Sequence, residues 1–440
     1  MRFLVIACLA LAPLQALSVD FLDMKQRATL IDQILEERMT DVLPALMRRE
    51  KIDLWIIMSR EYNEDPVIKT MLPSTWFSAR RHTMLVIYDP GEGKALERLA
   101  VARYSVDDLF EQVWDKEEQP DQWQALVDLI REKNPEKIAI NTSRHFALAD
   151  GMSSTEYRLL YSALGDELIS RLVPAEPLAI AWLETRGAIE MEYYPQLTDL
   201  GHQLIATAFS NEVVTPGKST TDDVVWWLRN KSTKMGLSNW FHPTVSIQRA
   251  DDEQFDQLTA FSKRPGENVI QPGDLIHVDF GITGLRLNTD QQQHAYVLKP
   301  GETSAPESLV NALAAANRLQ DILTGNFRVG RSGNEILAMS RKMAMNEGIN
   351  PAIYTHPLGL HGHAAGPTIG MWDAQEGVPV KGDYPVFPNT AYSIELNATS
   401  FIPEWDKEIR IMLEEDAFFD GEQVRYLSGR QKDFHLISSE

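Results

Sequence analysis

Cysteine is almost missing from this chain. Cys8 is the only one in 440 residues, and it falls in an apolar stretch at the very start. If that stretch is removed, no thiol remains. Disulfides, cysteine-ligated zinc and a cysteine nucleophile are then excluded together. Basic residues are scarce too. Lys and Arg number 42 against 63 Asp and Glu, a formal net charge of -21. Such an acidic surface is ill suited to nucleic acid or to anionic membranes. Beyond the first residues there is no apolar run of membrane-spanning length. No repeat recurs at a solenoid period, and a composition 44% hydrophobic and 24% charged excludes a disordered or collagenous chain.

What is present suggests two domains behind a leader. Arg2 precedes an apolar run from Phe3 to Leu17, with small residues near its exit, the pattern of a secretory signal peptide over 1–18. Export to the periplasm or the medium is therefore expected, with no membrane association once the leader is gone. Residues 19–180 read as an α/β domain. An amphipathic helix is expected over 25–50, strands near 53–59, 83–88 and 137–141, and a helix near 122–132. A boundary near 180 separates it from residues 181–440. There a long helix over 184–210, kinked or broken at Pro195, is followed by a helix near 219–235. Strands come next, then helices near 305–325 and 333–347. Trp226 and Trp227 read as packing residues.

Four stretches carry chemistry. In DLIHVDFGITGLRLNTDQQQHAYVL, Asp279 and Asp290 flank a turn expected at Gly284-Leu285. That hairpin would set the two carboxylates directly opposite, roughly 4.5–5.5 Å apart at Cβ. Like charges so placed on an otherwise apolar strand call for a cation between them. THPLGLHGHAAG holds His356, His361 and His363, a cluster suited to ligation or proton transfer. AYSIELN places Glu395 among strand formers. In EIRIMLEEDAFF, Arg410, Met412 and Glu414 share one face by alternation.

Taken in order, these stretches resemble the creatinase, aminopeptidase P and methionine aminopeptidase superfamily, metallopeptidase family M24. The resemblance covers roughly 185–430 and rests on HVDFG, Asp290, HPLGLHGH, SIELN and LEEDAFF. It implies a pita-bread catalytic domain of α+β class behind a creatinase-like α/β domain. It implies five metal ligands: Asp279, Asp290, His356, Glu395 and Glu414. Four carboxylates balance two divalent ions. Mn²⁺ leads the candidates, and Co²⁺, Zn²⁺ and Fe²⁺ also suit the donors. The implied reaction is hydrolysis of the amide bond nearest the N-terminus of a short peptide, with Xaa-Pro bonds among the candidates. His363 would contact the substrate, Glu395 would also shuttle a proton, and Arg410 would orient Glu414. His361 has no matching role and reads as a loop residue. Homodimers are common among such relatives.

The chain also departs from the pattern. Ser262 stands where a histidine usually precedes the first Asp, and His242 is nearby in sequence but on a different expected strand. Ala352 replaces a histidine four residues before His356. Leu396 follows Glu395 in place of proline, and Met412 replaces an arginine two residues before Glu414. The ligand set is complete while the surrounding substrate contacts differ. A related amidohydrolase acting on a non-peptide amide, and a non-catalytic peptide-binding protein, are the alternatives.

Overall fold

The computed structural model describes residues 22–251 and 268–439. The expected leader at 1–18 and Ser262 lie outside the described residues.

The chain begins with a helical arm: α1 (Met24–Glu37), one π-helical segment (Arg38–Val42) and α2 (Leu43–Glu50). Asp23 and Gln26 cap it reciprocally. The single expected helix is thus real in extent but widened at Arg38. Then follow β1 (Leu54–Arg60), α3 (Pro66–Met71), β2 (His82–Tyr88), β3 (Glu97–Val101), β4 (Glu111–Gln112), α4 (Gln122–Lys133), β5 (Ile138–Ile140), α5 (Ser154–Ile169), β6 (Leu172–Pro174) and α6 (Glu176–Glu184). The six strands form one sheet in the order β4-β3-β2-β1-β5-β6. Alternation along β1 explains its unbroken apolar run. Trp55 and Ile57 face a core shared with α2, α3 and α6, while Leu54, Ile56 and Met58 face α4 and α5. A strand covered on both sides needs apolar residues at every position.

The chain turns at Thr185–Gly187 into α7 (Ala188–Ala208). This corrects the expected helix from 184. Helix α6 ends at Glu184, and α7 starts afresh where the Glu190 carboxylate accepts the Gly187 N–H at 2.7 Å. Helix α7 runs on through Pro195 without a break. After α8 (Thr221–Lys234) come β7 (Thr244–Gln248), β8 (Leu275–Phe280), β9 (Thr283–Gly284), β10 (Leu287–Asn288) and β11 (Gln291–Val297). Two helices, Glu307–Gly325 and Gly333–Asn346, lead to β12 (Asn350–Ile353), β13 (His356–Leu358), β14 (Thr390–Ser393), β15 (Leu396–Ile402), β16 (Lys407–Leu413), β17 (Asp416–Phe419), β18 (Val424–Tyr426) and β19 (His435–Ile437). The sheets of this half are ordered β19-β11-β8-β7, β12-β15-β16 and β13-β14-β17-β18. Helices α7 and α8 cover the first, and Glu307–Gly325 and Gly333–Asn346 pack against the others. Bridges from Gln292 to Glu414 and from Thr185 to Thr390 join these layers. Of the two tryptophans expected to pack, Trp227 packs on the core beneath α8. Trp226 is 46% exposed, its ring against His242.

Candidate metal centre

Strand β8 offers two faces. Ile276, Val278 and Phe280 anchor one in the core under α7, which turns His277 and Asp279 to the other. The hairpin that follows is shifted from the expected one. Leu285 and Arg286 make the turn, with φ of 52° and 66°, and Gly284 pairs with Leu287. Both positive φ values suit a two-residue turn that follows the strand twist. Arg286 is held there by donating to the Leu72 carbonyl at 2.6 Å and the Pro73 carbonyl at 3.2 Å. Moving the turn centre by one residue shifts the pairing by two. Asp279 therefore faces Gln292, not Asp290. Because side chains alternate with period two, Asp290 and Gln292 still share the face of Asp279.

The other ligands arrive from neighbouring strands. His356 opens β13 and pairs with Ser393 of β14. Glu395 sits between β14 and β15, and Glu414 between β16 and β17. His356 Nε2 lies 3.6 Å from Asp290 Oδ2, 3.9 Å from Glu395 Oε2 and 3.5 Å from Glu414 Oε1. Asp279, Asp290 and Glu414 bring one oxygen each within 4.8 Å of one another, and so do donor atoms of His356, Glu395 and Glu414. Glu414 is common to both triads. A third set joins Asp290, His356 and His363.

The chemistry of these donors fits divalent cations. Among the described residues, Asp279 Oδ1, Asp290 Oδ1 and His356 Nε2 are buried without a hydrogen-bond partner. Buried lone pairs left unmatched are costly, and a cation is the partner that satisfies all three. Burial and then the neighbouring Glu414 charge push the Asp279, Asp290 and Glu395 carboxyls well above their usual range. Burial also acts on Glu414, but His356, Ser393 and Gln292 together hold its carboxyl below that range. Bound divalent ions would invert this repulsion and keep all four ionised.

Several side chains around the ligands were not singled out by the sequence. Gln292 donates to Glu395 Oε1 at 2.9 Å and Glu414 Oε2 at 2.5 Å. Ser393 donates to Glu414 Oε1 at 2.5 Å. His277 stands behind Gln292, its Nε2 2.8 Å from the amide oxygen. The available signal was the run Gln291-Gln292-Gln293 in a strand whose seven residues are all buried. Arg410 was expected to orient Glu414. Among the described residues, Ser393 and Gln292 donate to the Glu414 carboxylate, and the Arg410 backbone pairs with the Gln248 side chain.

His363 stands exposed at the mouth, its ring 4.7 Å from that of His356, 5.2 Å from Trp240 and 6.0 Å from Tyr354. Trp240 explains two glycines of the motifs. A Cβ at Gly281 or Gly362 would meet its ring at 2.3 or 2.4 Å. His361 lies in the same loop with its Nδ1 buried. Burial, with Arg186 and Lys69 nearby, lowers its pKa to about 4. His242 contacts Trp226 and Arg229, outside the ligand cluster. Ala352 is paired with Asn397 on β15, Leu396 is buried in the core beneath Glu395, and the Met412 N–H donates to His294 Nε2.

Comparisons with known proteins bear on the fold and the family. No curated protein matches in sequence. Among solved structures, the chain is similar to an X-Pro aminopeptidase from Thermotoga maritima, at 17% identity and a TM-score of 0.62, covering 90% of this chain and 99% of that one. It is similar to an Xaa-Pro dipeptidase from Bacillus anthracis, at 15% identity and 0.61, covering 92% and 99%. A dipeptidase from Mycobacterium ulcerans follows at 15% and 0.59, covering 93% and 99%. At such identities the likeness shows the fold, the creatinase-like α/β domain with a pita-bread domain. The model of metallopeptidase family M24 matches residues 196–418, just over half of the chain and the span that contains all five clustered ligands. On fold and sequence together, the chain belongs to metallopeptidase family M24.

Proposed function

We propose that this protein is an exported metallopeptidase that hydrolyses the amide bond nearest the N-terminus of short peptides, with Xaa-Pro bonds among its candidate substrates. The observation that carries the reading is the convergence of Asp279, Asp290, His356, Glu395 and Glu414, three of them with orphaned buried donor atoms. These five residues would hold two divalent ions, Mn²⁺ first among the candidates. Bound there, the ions would supply Lewis acidity and a water made nucleophilic near neutral pH. The chain's own residues do the rest. Glu395 is less buried than Glu414 and can take and return a proton at the mouth. His363 is placed to donate to an oxygen of the substrate. Residues 19–180 would form the first domain and 181–440 the catalytic one.

The test uses chain stripped of metal and reloaded with Mn²⁺. About two ions per chain are expected, with release of N-terminal residues from a peptide panel that includes Xaa-Pro sequences. Asp290→Asn should abolish turnover while the far-ultraviolet spectrum is unchanged. Chelator-resistant turnover, or full activity in Asp290→Asn, would overturn the metal centre. Turnover confined to non-peptide amides would overturn the peptidase.

A further inference from the structure

The ligand carboxylates are tied together by one neutral side chain. Gln292 pairs across the sheet with Asp279, and its amide nitrogen spans Glu395 and Glu414, two members of one donor triad. With cations bound, both carboxylates are ionised and only accept hydrogen bonds. The amide can then be oriented one way only, nitrogen to the carboxylates and oxygen to His277. His277 Nε2 must carry the proton, which leaves Nδ1 to accept from the Ser246 hydroxyl at 3.5 Å. The result is a hydrogen-bond relay of fixed polarity, from Ser246 through His277 and Gln292 to two ligands. Every step stays in place without any group changing charge.

The relay is built rather than incidental. His277 is buried on the same strand face as Asp279, and the His294 ring lies 5.0 Å from it. His294 is itself fixed by accepting the Met412 N–H at 3.0 Å. A glutamine near the start of a fully buried strand loses its hydration, and this relay satisfies both ends of its amide. Each carboxylate oxygen it holds keeps a second lone pair for a cation.

We propose that Gln292 is a positioning residue of the metal centre, which sets the spacing of Glu395 and Glu414 before the ions arrive, and that His277 acts only through it. The proposal rests on the metal-binding reading above. It predicts that the ligand geometry, and with it the affinity for divalent ions, depends on an amide that touches neither ion nor substrate. Partners of this kind contribute about 10- to 100-fold to metal affinity.

The experiment is calorimetric titration of metal-stripped protein with Mn²⁺, using wild type, Gln292→Met, His277→Phe and the double variant, with melting curves as a folding control. Gln292→Met keeps length and volume but has no donor. It should bind Mn²⁺ about 10- to 100-fold more weakly. His277→Phe should lose less, and the double variant should bind no more weakly than Gln292→Met alone, because residues acting in series are not additive. If Gln292→Met does not fold, a several-fold loss in folded His277→Phe carries the test. Affinity within twofold of wild type in both single variants, or additive losses in the double, overturns the proposal while the metal reading stands. A wild type that binds no Mn²⁺ overturns both.

Discussion

Glu184 is the residue whose environment is least like its chemistry. It ends α6, and both carboxyl oxygens are buried with no partner among the described residues. Gly366 passes so close that a Cβ there would sit 2.8 Å from Glu184 Oε2. Burial pushes this carboxyl up to about 8, against a weaker opposing pull from Arg49 and Arg186, with Glu50 adding to the rise. Tyr384 and Tyr392 also lie within its field. The folded chain therefore holds a proton that the unfolded chain releases at ordinary carboxylate pH. Stability falls as pH rises from about 4.5 to about 8, because over that window the native state binds more protons. Glu184→Gln cannot ionise, so its melting temperature relative to wild type should climb from pH 5 to pH 9. A difference that stays flat with pH would show that Glu184 does not titrate in that window. The ligand residues obey the same rule with a different remedy: their crowding is relieved by cations rather than by protons.

At the level of elements, the widened turn at Arg38 has a visible cause. Its guanidinium is 1% exposed and donates to the Thr185 carbonyl and to Glu190 Oε2, both at 2.6 Å, and to the Trp182 carbonyl. Arg186 meets the other oxygen of Glu190 at 2.8 Å. Leu30 and Ile34 pack into the core under α7 while Leu35 and Met39 pack into the core of the first sheet. Helix α1 thus belongs to both halves, and Arg38 pins it where α6 gives way to α7. Breaking a buried pair leaves desolvated groups behind, at about 3 kcal/mol. Arg38→Met should lower stability by about that amount in urea denaturation; a change below about 1 kcal/mol would mean that Arg186 alone suffices for Glu190. The β8–β11 hairpin teaches a second lesson at this scale. The glycine in Thr283-Gly284-Leu285 drew the expected turn one residue early, yet the turn took Leu285 and Arg286 because Arg286 is anchored to the first half. Parity, and so the common face of Asp279 and Asp290, survived the shift.

For the whole molecule, Asp279 and His356 lie on strands of two different sheets and Glu395 and Glu414 at junctions with a third, so the centre exists only when those sheets are assembled. Cation binding and folding are then linked. At a free Mn²⁺ concentration 100 times the dissociation constant, one site adds about 2.7 kcal/mol to stability. Stripped protein should melt at a lower temperature than reloaded protein, and the gain should vanish in Asp290→Asn. Equal melting temperatures with and without Mn²⁺ would mean that the sheets assemble without regard to the ions. Among the described residues no helix is long and apolar enough to cross a membrane.

The sequence by itself marked many of the elements, and the resemblance it carries named the five candidate ligands. The apolar run of β1 is a local pattern that periodicity reads well, and the ordered Asp, Asp, His, Glu, Glu stretches were read through their resemblance to family M24. Only the tertiary structure decided what lies behind the ligands. Gln292, His277 and Ser393 stand at positions where spacing alone assigns no role, and they matter because β8, β11, β14 and the β16–β17 junction converge. Alternation fixes which way a side chain points, whereas its distance from a partner on another sheet depends on how the sheets pack.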